Sequence, residues 1–361
     1  MERACRLALR GLGTARPNPM VGAVLVKDGA VIGTGYHRRP GEPHAEVVAV
    51  SGSRIDPEGA TLYVNLEPCC HFGRTPPCVD YILSKKIRRV VIGTVDPNPL
   101  VNGRSIERLR AEGVEVVCGV LEERCKRVNE VFLTYIRTKR PFVILKVAMS
   151  LDGKIASSSR LSRWISSETS RKAVHRLRAI VDAVMVGSGT VAADDPLLTV
   201  RQAKKAGGNP LRVVLDSRLS IPVTANVVRT AGEAGTLIAT TDRAPTEKAE
   251  ALKERGVEVL VFPADDEGRV PMGAVFTELG QRGIQSVLVE GGSRVFTDAL
   301  QKGLADKLVV FVAPSLLGGR TAPGFFEGTG VGEPSEAIRI HGMEVRRSGP
   351  DIMIQGYLHG W

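Results

Sequence analysis

Apolar residues along the chain recur in short runs whose period switches between that of a helix and that of a strand. Residues 4–12 carry them at helical spacing and stop at Gly11 or Gly13, which predicts an amphipathic helix. Val21 to Val26 and Val31 to Tyr36 flank Asp28-Gly29, a strong turn signal, and are read as a β-hairpin. Ala45 to Val50 continue as a helix, with Pro43 where a first helical turn accepts it. Thr61 to Leu66 read as a strand, and Pro76-Pro77-Cys78 open a helix running to about Ser84. Strand Arg89–Val95, helix Ser105–Glu112, strand Val114–Cys118 and helix Glu122–Thr138 then form a βαβ succession.

Lys139-Arg140-Pro141 breaks this pattern and is taken as a boundary between residues 1–139 and 140–361. Beyond it, apolar strands are expected at Phe142–Ala148, at Val184–Val186 running into a Gly/Ser/Thr turn, and at Val213–Asp216, Thr236–Thr240 and Val257–Val261. Helices are expected at Glu247–Arg255, Gly273–Arg282 and from the Gly291-Gly292-Ser293 turn to Lys302, with strands at Ser286–Glu290 and Lys307–Ala313. Two last strands at about 337–347 and 351–358 close an α/β sheet, mainly parallel with an antiparallel edge. A length of 361 residues suits two cores.

Hydrophobic content of 43% and charged content of 24% are those of a globular protein. No apolar run approaches a membrane span, and Met1-Glu2-Arg3 leads into a polar amphipathic segment rather than a signal peptide. The formal charge of +10 permits nucleic-acid binding, but Lys and Arg are scattered and aromatics make up only 4%. A basic enzyme that handles anionic phosphates carries the same sign of charge.

Chemistry concentrates between His44 and Cys78. His44-Ala45-Glu46 is followed by Glu67-Pro68-Cys69 and, after eight intervening residues, Cys78. One imidazole and two thiolates make a three-ligand zinc set with the fourth position open, the arrangement of a catalytic rather than a structural zinc. Zinc lowers the pKa of its water toward neutrality, and Glu46 is placed to move protons without ligating. The pattern is that of the zinc nucleobase deaminases, H-x-E followed by P-C-x-x-C. In a regular helix residues two apart diverge, so His44 and Glu46 share a site only at a helix entry. The remaining cysteines, Cys5, Cys70, Cys118 and Cys125, form no obvious disulfide framework, which suits a reducing, cytoplasmic setting.

Phe72 stands where the short signature has its second Cys, and the loop Gly73-Arg74-Thr75-Pro76-Pro77-Cys78 is longer. In this it resembles the pyrimidine deaminase of riboflavin biosynthesis. Cys69 is preferred to Cys70 as ligand because it follows the Pro and keeps that family's spacing to Cys78. Arg16-Pro17-Asn18-Pro19-Met20-Val21-Gly22 resembles the family's entry to its first strand, where the Asn reaches the base; a turn residue beside proline is the plainer reading of Asn18.

In the second half, Ser150-Leu151-Asp152-Gly153-Lys154, Gly187-x-x-Thr190-Val191-x-x-Asp194-Asp195-Pro196, Val214-Leu215-Asp216-Ser217-Arg218 and Val289-Glu290-Gly291-Gly292 occur in order. Together they resemble the reductase domain of the same riboflavin enzyme, a dihydrofolate-reductase-like fold. The resemblance implies an N-terminal cytidine-deaminase-like zinc domain followed by that reductase domain. It implies an NADPH site lined by Ala148, Trp164, Thr190, Asp194, Ser217, Gly292, Ser293 and Arg294. It implies substrate contacts from Ser162, Arg178, Leu198, Arg201 and Glu290. On chemistry alone Arg178 and Arg201 suit a phosphate, and Lys154 is read either as a charge or proton source or as a surface Lys. The expected partner is a small phosphorylated pyrimidine, with neither nucleic acid nor membrane, and the chain is expected to be a homo-oligomer. A nucleic-acid-editing deaminase with an appended binding domain, and a zinc-stabilised scaffold without turnover, are the competing readings; Glu46 argues against the scaffold.

Overall fold

The computed structural model describes residues 1–203 and 207–359, which fall into two compact units, Met1–Lys139 and Arg140–Trp361. The first begins with helix α1 (Glu2–Ala8), continued by a 3-10 turn at Leu9–Gly11, then strands β1 (Gly22–Lys27) and β2 (Ala30–Tyr36) around Asp28-Gly29. Helix α2 (Ala45–Ser51), β3 (Thr61–Leu66), α3 (Cys78–Ser84), β4 (Arg89–Thr94), α4 (Arg104–Ala111) and β5 (Glu115–Val117) follow. Helices α5 (Glu122–Val128) and α6 (Glu130–Thr138) end the unit. The sheet order is β2-β1-β3-β4-β5, with β1 antiparallel to both neighbours and β3, β4 and β5 mutually parallel.

Leu62, Val64, Val90 and Ile92 on the sheet and Ala45, Ala49 and Ile82 on the helices are fully buried, each large apolar side chain contributing about 1.5–3 kcal/mol of burial. Helix α2 lies on two glycines of β2. A Cβ at Gly33 would stand 2.0 Å from the Ala49 carbonyl oxygen, and one at Gly35 would stand 2.3 Å from that of Ala45. This approach brings the first turn of α2 down onto the sheet.

The single helix expected over 122–138 is broken at Asn129, which sits at φ −111, ψ 23. Its side chain accepts from Met20 N–H (2.8 Å) and donates to Met20 C=O (3.0 Å), so a contact 109 residues away decides the break. Asn65 makes the same kind of clamp, accepting from Gly22 N–H and donating to Met20 C=O. The Asn18–Met20 segment is thereby pinned against the sheet.

The second unit runs β6 (Phe142–Ser150), α7 (Glu168–Ile180), β7 (Ala183–Gly187), α8 (Ser188–Asp194), β8 (Leu211–Leu215), α9 (Asn226–Arg229), β9 (Thr236–Thr241) and α10 (Thr246–Lys253). Then come β10 (Glu258–Phe262), α11 (Met272–Gln281), β11 (Ser286–Gly291), α12 (Ser293–Gln301), β12 (Lys307–Ala313), β13 (His341–Ser348) and β14 (Asp351–Tyr357). The sheet order is β10-β9-β8-β7-β11-β6-β12-β14-β13. Seven strands are parallel, and the β14–β13 hairpin adds the antiparallel edge. Buried on both faces, the central strands read as continuous apolar runs such as Ala183-Val184-Met185-Val186. Helix α7 was not anticipated from the pattern. It is capped by Ser167, whose side chain accepts from Ser170 N–H, and carries Glu168 in its first turn.

Candidate active sites

In the first unit, His44 is the N-cap of α2, in extended conformation (φ −71, ψ 163), and Pro43 precedes the helix rather than forming its first turn. Because the chain is still bending there, His44 and Glu46 both face the C-terminal end of β3, where Glu67-Pro68-Cys69 emerges. Cys78 opens α3, and its backbone N–H donates to Cys69 Sγ at 3.3 Å. His44 Nδ1 lies 3.2 Å from Cys78 Sγ and 3.5 Å from Cys69 Sγ. The three ligand atoms all fall within 4.8 Å of one another. Two ligands of a tetrahedral zinc, at about 2.1 and 2.3 Å from it, are separated by about 3.6 Å. The donor set therefore fits zinc in element type and in spacing. Cys70 is elsewhere, its thiol directed at the Leu100 carbonyl (3.5 Å).

Thr75 Oγ1 lies 3.3 Å from His44 Nε2 and holds the ring with Nδ1 toward the thiols. The hydrogen bond from Cys78 is the main reason the Cys69 thiol is held down at about 4; burial opposes it and His44 assists. The shared proton stays on Cys78, raised by the same bond. Glu46 is 2% exposed and its Oε2 has no hydrogen-bond partner. Burial raises its pKa. A buried carboxyl oxygen left unpartnered beside an imidazole and two thiols is costly unless a bound group uses it.

Asn18 reaches this site through a residue that sequence reasoning missed. Its Nδ2 donates to His37 Nε2 (3.0 Å), so the other ring nitrogen, Nδ1, carries the proton toward the Pro43 carbonyl (3.3 Å). The His37 ring packs edge-on to His44, centroids 5.1 Å apart, and burial lowers its pKa. Nothing local in Tyr36-His37-Arg38 announces this role. Asp96, held to about 6 chiefly by burial, and Glu67, which accepts from the backbone N–H groups of Asp96, Gly103 and Ser105, complete the polar floor.

In the second unit a cavity of about 1620 Å³ opens at the carboxyl ends of β6, β7, β8 and β11, where open parallel sheets gather ligands. Half-buried Ala148 lies near the C-terminal end of β6, Thr190 and Asp194 lie on α8, and Ser217 follows β8; all line the cavity. Gly292, Ser293 and Arg294 line it at the entry to α12, with Ser293 Oγ buried and unpartnered. A Cβ at Gly291 or at Gly292 would come within 3.2 Å of Thr190 Oγ1, so this turn lies directly against α8. Ser162 and Trp164 reach the cavity from the loop after β6; Ser162 Oγ donates to Asp194 Oδ1 (2.6 Å). Trp164 is 68% exposed, with the Arg171 guanidinium 4.5 Å from its ring centre.

Leu198, Arg201, Arg178 and Glu290 line the same cavity. Arg178, suited by type to a phosphate, instead spends its fork on Glu290, at 2.5 Å (Nε–Oε1) and 2.9 Å (Nη2–Oε2). Glu290, although burial opposes it, is held at about 2 by Arg178 and then by Lys146, whose Nζ is 3.5 Å away. Arg201 has no carboxylate partner among the described residues, and after burial its neighbours Arg178 and Arg163 depress its pKa. Lys154 does not line the cavity; its Nζ donates to the Ala322 carbonyl (2.9 Å). Lys146, which sequence reasoning passed over inside an apolar strand, does line it.

A cavity this size exceeds what one small ligand needs. Among the described residues, the unpartnered Ser293 hydroxyl at a helix entry and Arg201, which has no carboxylate partner, are groups of the kind that bind anions.

Residues 1–94 match the cytidine and deoxycytidylate deaminase zinc-binding region, and residues 141–354 match the RibD C-terminal domain. The chain is 44% identical over 354 residues to the riboflavin biosynthesis protein RibD of Aquifex aeolicus, covering 98% of this chain and 96% of that one. It belongs to the RibD family. The Escherichia coli RibD protein is 40% identical, with 98% of this chain and 97% of that one covered. A solved structure from Thermotoga maritima superposes with a TM-score of 0.84 at 40% identity, covering 99% of this chain and 97% of that one. That protein is described as a diaminohydroxyphosphoribosylaminopyrimidine deaminase/5-amino-6-(5-phosphoribosylamino)uracil reductase. Acinetobacter baumannii RibD superposes with a TM-score of 0.85 at 36% identity, with 99% and 97% of the two chains covered. As a RibD-family member the chain is a bifunctional enzyme of riboflavin biosynthesis, with a zinc-binding cytidine-deaminase-like domain followed by a reductase domain. Among the described residues, no helix is long and apolar enough to cross a membrane.

Proposed function

We propose that the first unit holds one zinc ion on His44 Nδ1, Cys69 and Cys78 and deaminates 2,5-diamino-6-ribosylamino-4(3H)-pyrimidinone 5′-phosphate. The second unit then reduces the ribosyl group of the product to ribityl with NADPH. The observation that carries the first half is the buried Glu46 carboxyl, unpartnered at Oε2 beside the three converging donors. When bound, zinc supplies Lewis-acid activation of water for attack at the carbon bearing the 2-amino group. Glu46 would carry the water's two protons in turn at Oε2, the first to the ring nitrogen and the second, from the hydroxyl added to that carbon, to the departing ammonia. Thr75 keeps the His44 ring oriented, and the Asn18–His37 pair presents an amide edge to the base.

When bound in the second unit, NADPH would supply hydride to the imine carbon of the ring-opened ribosylamine, with a proton from solvent completing the amine nitrogen. The chain's own task is alignment: Ser293 and the turn at Gly292 hold the cofactor, Arg201 anchors the substrate phosphate, and Glu290 and Lys146 stand at the cavity floor. The test is an assay of the purified protein with the diaminopyrimidine phosphate. Ammonia release without NADPH, and NADPH oxidation only after deamination, is the expected pattern; NADPH oxidation with no release of ammonia contradicts this order.

A further inference from the structure

Leu198 and Arg201 reach the cavity from residues 195–201, a segment without regular secondary structure in which Leu198 takes φ +52. Such a segment is held by what touches it. Asn226 binds Asp195 through its backbone N–H (2.7 Å) and side chain (2.9 Å), and the buried Arg212 reaches the Leu197 carbonyl (3.3 Å). At the far end Asn209 Oδ1 accepts from Val200 N–H (3.1 Å), and the other partners come from α7. Arg178 Nη1 donates to the Thr199 carbonyl (3.2 Å), and His175 Nδ1 lies 3.3 Å from the backbone nitrogen of Arg201.

A backbone N–H only donates, so His175 Nδ1 is the acceptor and the ring is unprotonated there. The side chain is 7% exposed and lines the same cavity. Burial first, and then the charges of Arg178 and Arg201, hold its pKa at about 4, so it is neutral near pH 7. The hydrogen bond acts on the Arg201 backbone; the Arg201 side chain itself is exposed and lines the cavity. Among the described residues no carboxylate holds it, while Arg178 and Arg163 repel it.

We propose that His175 is a positioning residue of the reductase: its Nδ1 fixes the backbone at Arg201 so that the guanidinium is presented to the substrate phosphate. The inference rests on the reading of Arg201 as the phosphate anchor.

The experiment is steady-state reduction of the deaminated, phosphorylated substrate by the full-length chain. It compares wild type, His175→Phe, His175→Asn, Arg201→Ala and the His175→Phe/Arg201→Ala double variant. Phe keeps a planar ring and removes the acceptor. Asn returns an acceptor, since its Oδ1 lies as many bonds from Cβ as Nδ1 does. His175→Phe is expected to raise the substrate KM about 3–10-fold, the size of one hydrogen bond. Its kcat and KM for NADPH stay within roughly twofold, the pattern of lost substrate binding. His175→Asn recovers most of the loss, and His175→Phe adds nothing once Arg201 is Ala. An unchanged KM in His175→Phe, or an Asn variant as poor as the Phe variant, overturns the proposal. So does a His175→Phe penalty that persists in full on the Arg201→Ala background. If His175→Phe loses kcat through misfolding, His175→Asn decides alone: a KM near wild type supports the tether, and a raised one overturns it. A wild-type KM in Arg201→Ala instead removes the anchor reading itself, a distinct failure.

Discussion

Arg178 and Glu290, 112 residues apart, meet as a two-bonded ion pair with side chains only 12% and 6% exposed. An Arg so committed is not an open phosphate clamp, which is why the proposed phosphate anchor is Arg201. Breaking the pair leaves a buried charge uncompensated, which costs about 3–5 kcal/mol.

The pair also sets a pH dependence. Glu290 has a folded pKa of about 2 against an ordinary 4.5, a depressed carboxylate. Its stabilisation is therefore complete above about pH 5 and is lost as the pH falls from there toward 2, on the order of 3 kcal/mol in all. Urea unfolding followed by tryptophan fluorescence is the measurement, with Trp164 as the reporter in the second unit. Glu290→Gln should be less stable at pH 7 and should flatten the loss between pH 5 and 3. A variant that keeps the wild-type acid profile removes Glu290 as its source.

Metal content separates neighbouring thiols. Purified wild type and Cys70→Ser are expected to hold about one zinc per chain, and Cys69→Ser to hold little. Full zinc in Cys69→Ser with loss in Cys70→Ser reverses the assignment.

Glu46→Gln keeps the volume and removes the base. Zinc should stay bound while ammonia release drops by roughly 10²–10⁴. Near-normal deamination by the zinc-loaded variant rules out Glu46 as the proton carrier.

The two activities should respond independently. Glu46→Gln should leave reduction of the already deaminated substrate intact, and Arg201→Ala should raise the KM of reduction by about tenfold or more, the scale of a hydrogen bond to a charged group. Feeding each variant the two substrates separately, and following ammonia and NADPH, measures this. Loss of both activities in one folded variant contradicts two separate sites.

What could be read from the chain was whatever local chemistry decides. Asp28-Gly29 turns a hairpin wherever apolar alternation flanks it, and the parallel strands of the second unit need only continuous apolar runs. The approach of His44 to Cys69 and Cys78 was legible because metal chemistry restricts which residue types gather. The break at Asn129 was not, because it is made by Met20. Nor was the capture of Arg178, since its partner lies on β11 and an isolated Arg reads the same with or without one. Helix α7 escaped because polar residues interleave its short apolar stripe, leaving Ser167 as the main local signal. Its loss hid His175 as well.

The seating of α2 on Gly33 and Gly35 has a consequence for how this domain tolerates change. The carbonyls of Ala45 and Ala49 occupy the space where side chains at those two positions would stand. Even alanine at either one must lift the helix that begins at His44 and carries Glu46, moving both away from the thiols, which sit on other elements. In a saturation library, two positions with no functional group at all should be as intolerant as the metal ligands. Exposed Phe72, in the loop between the cysteines, should accept nearly anything.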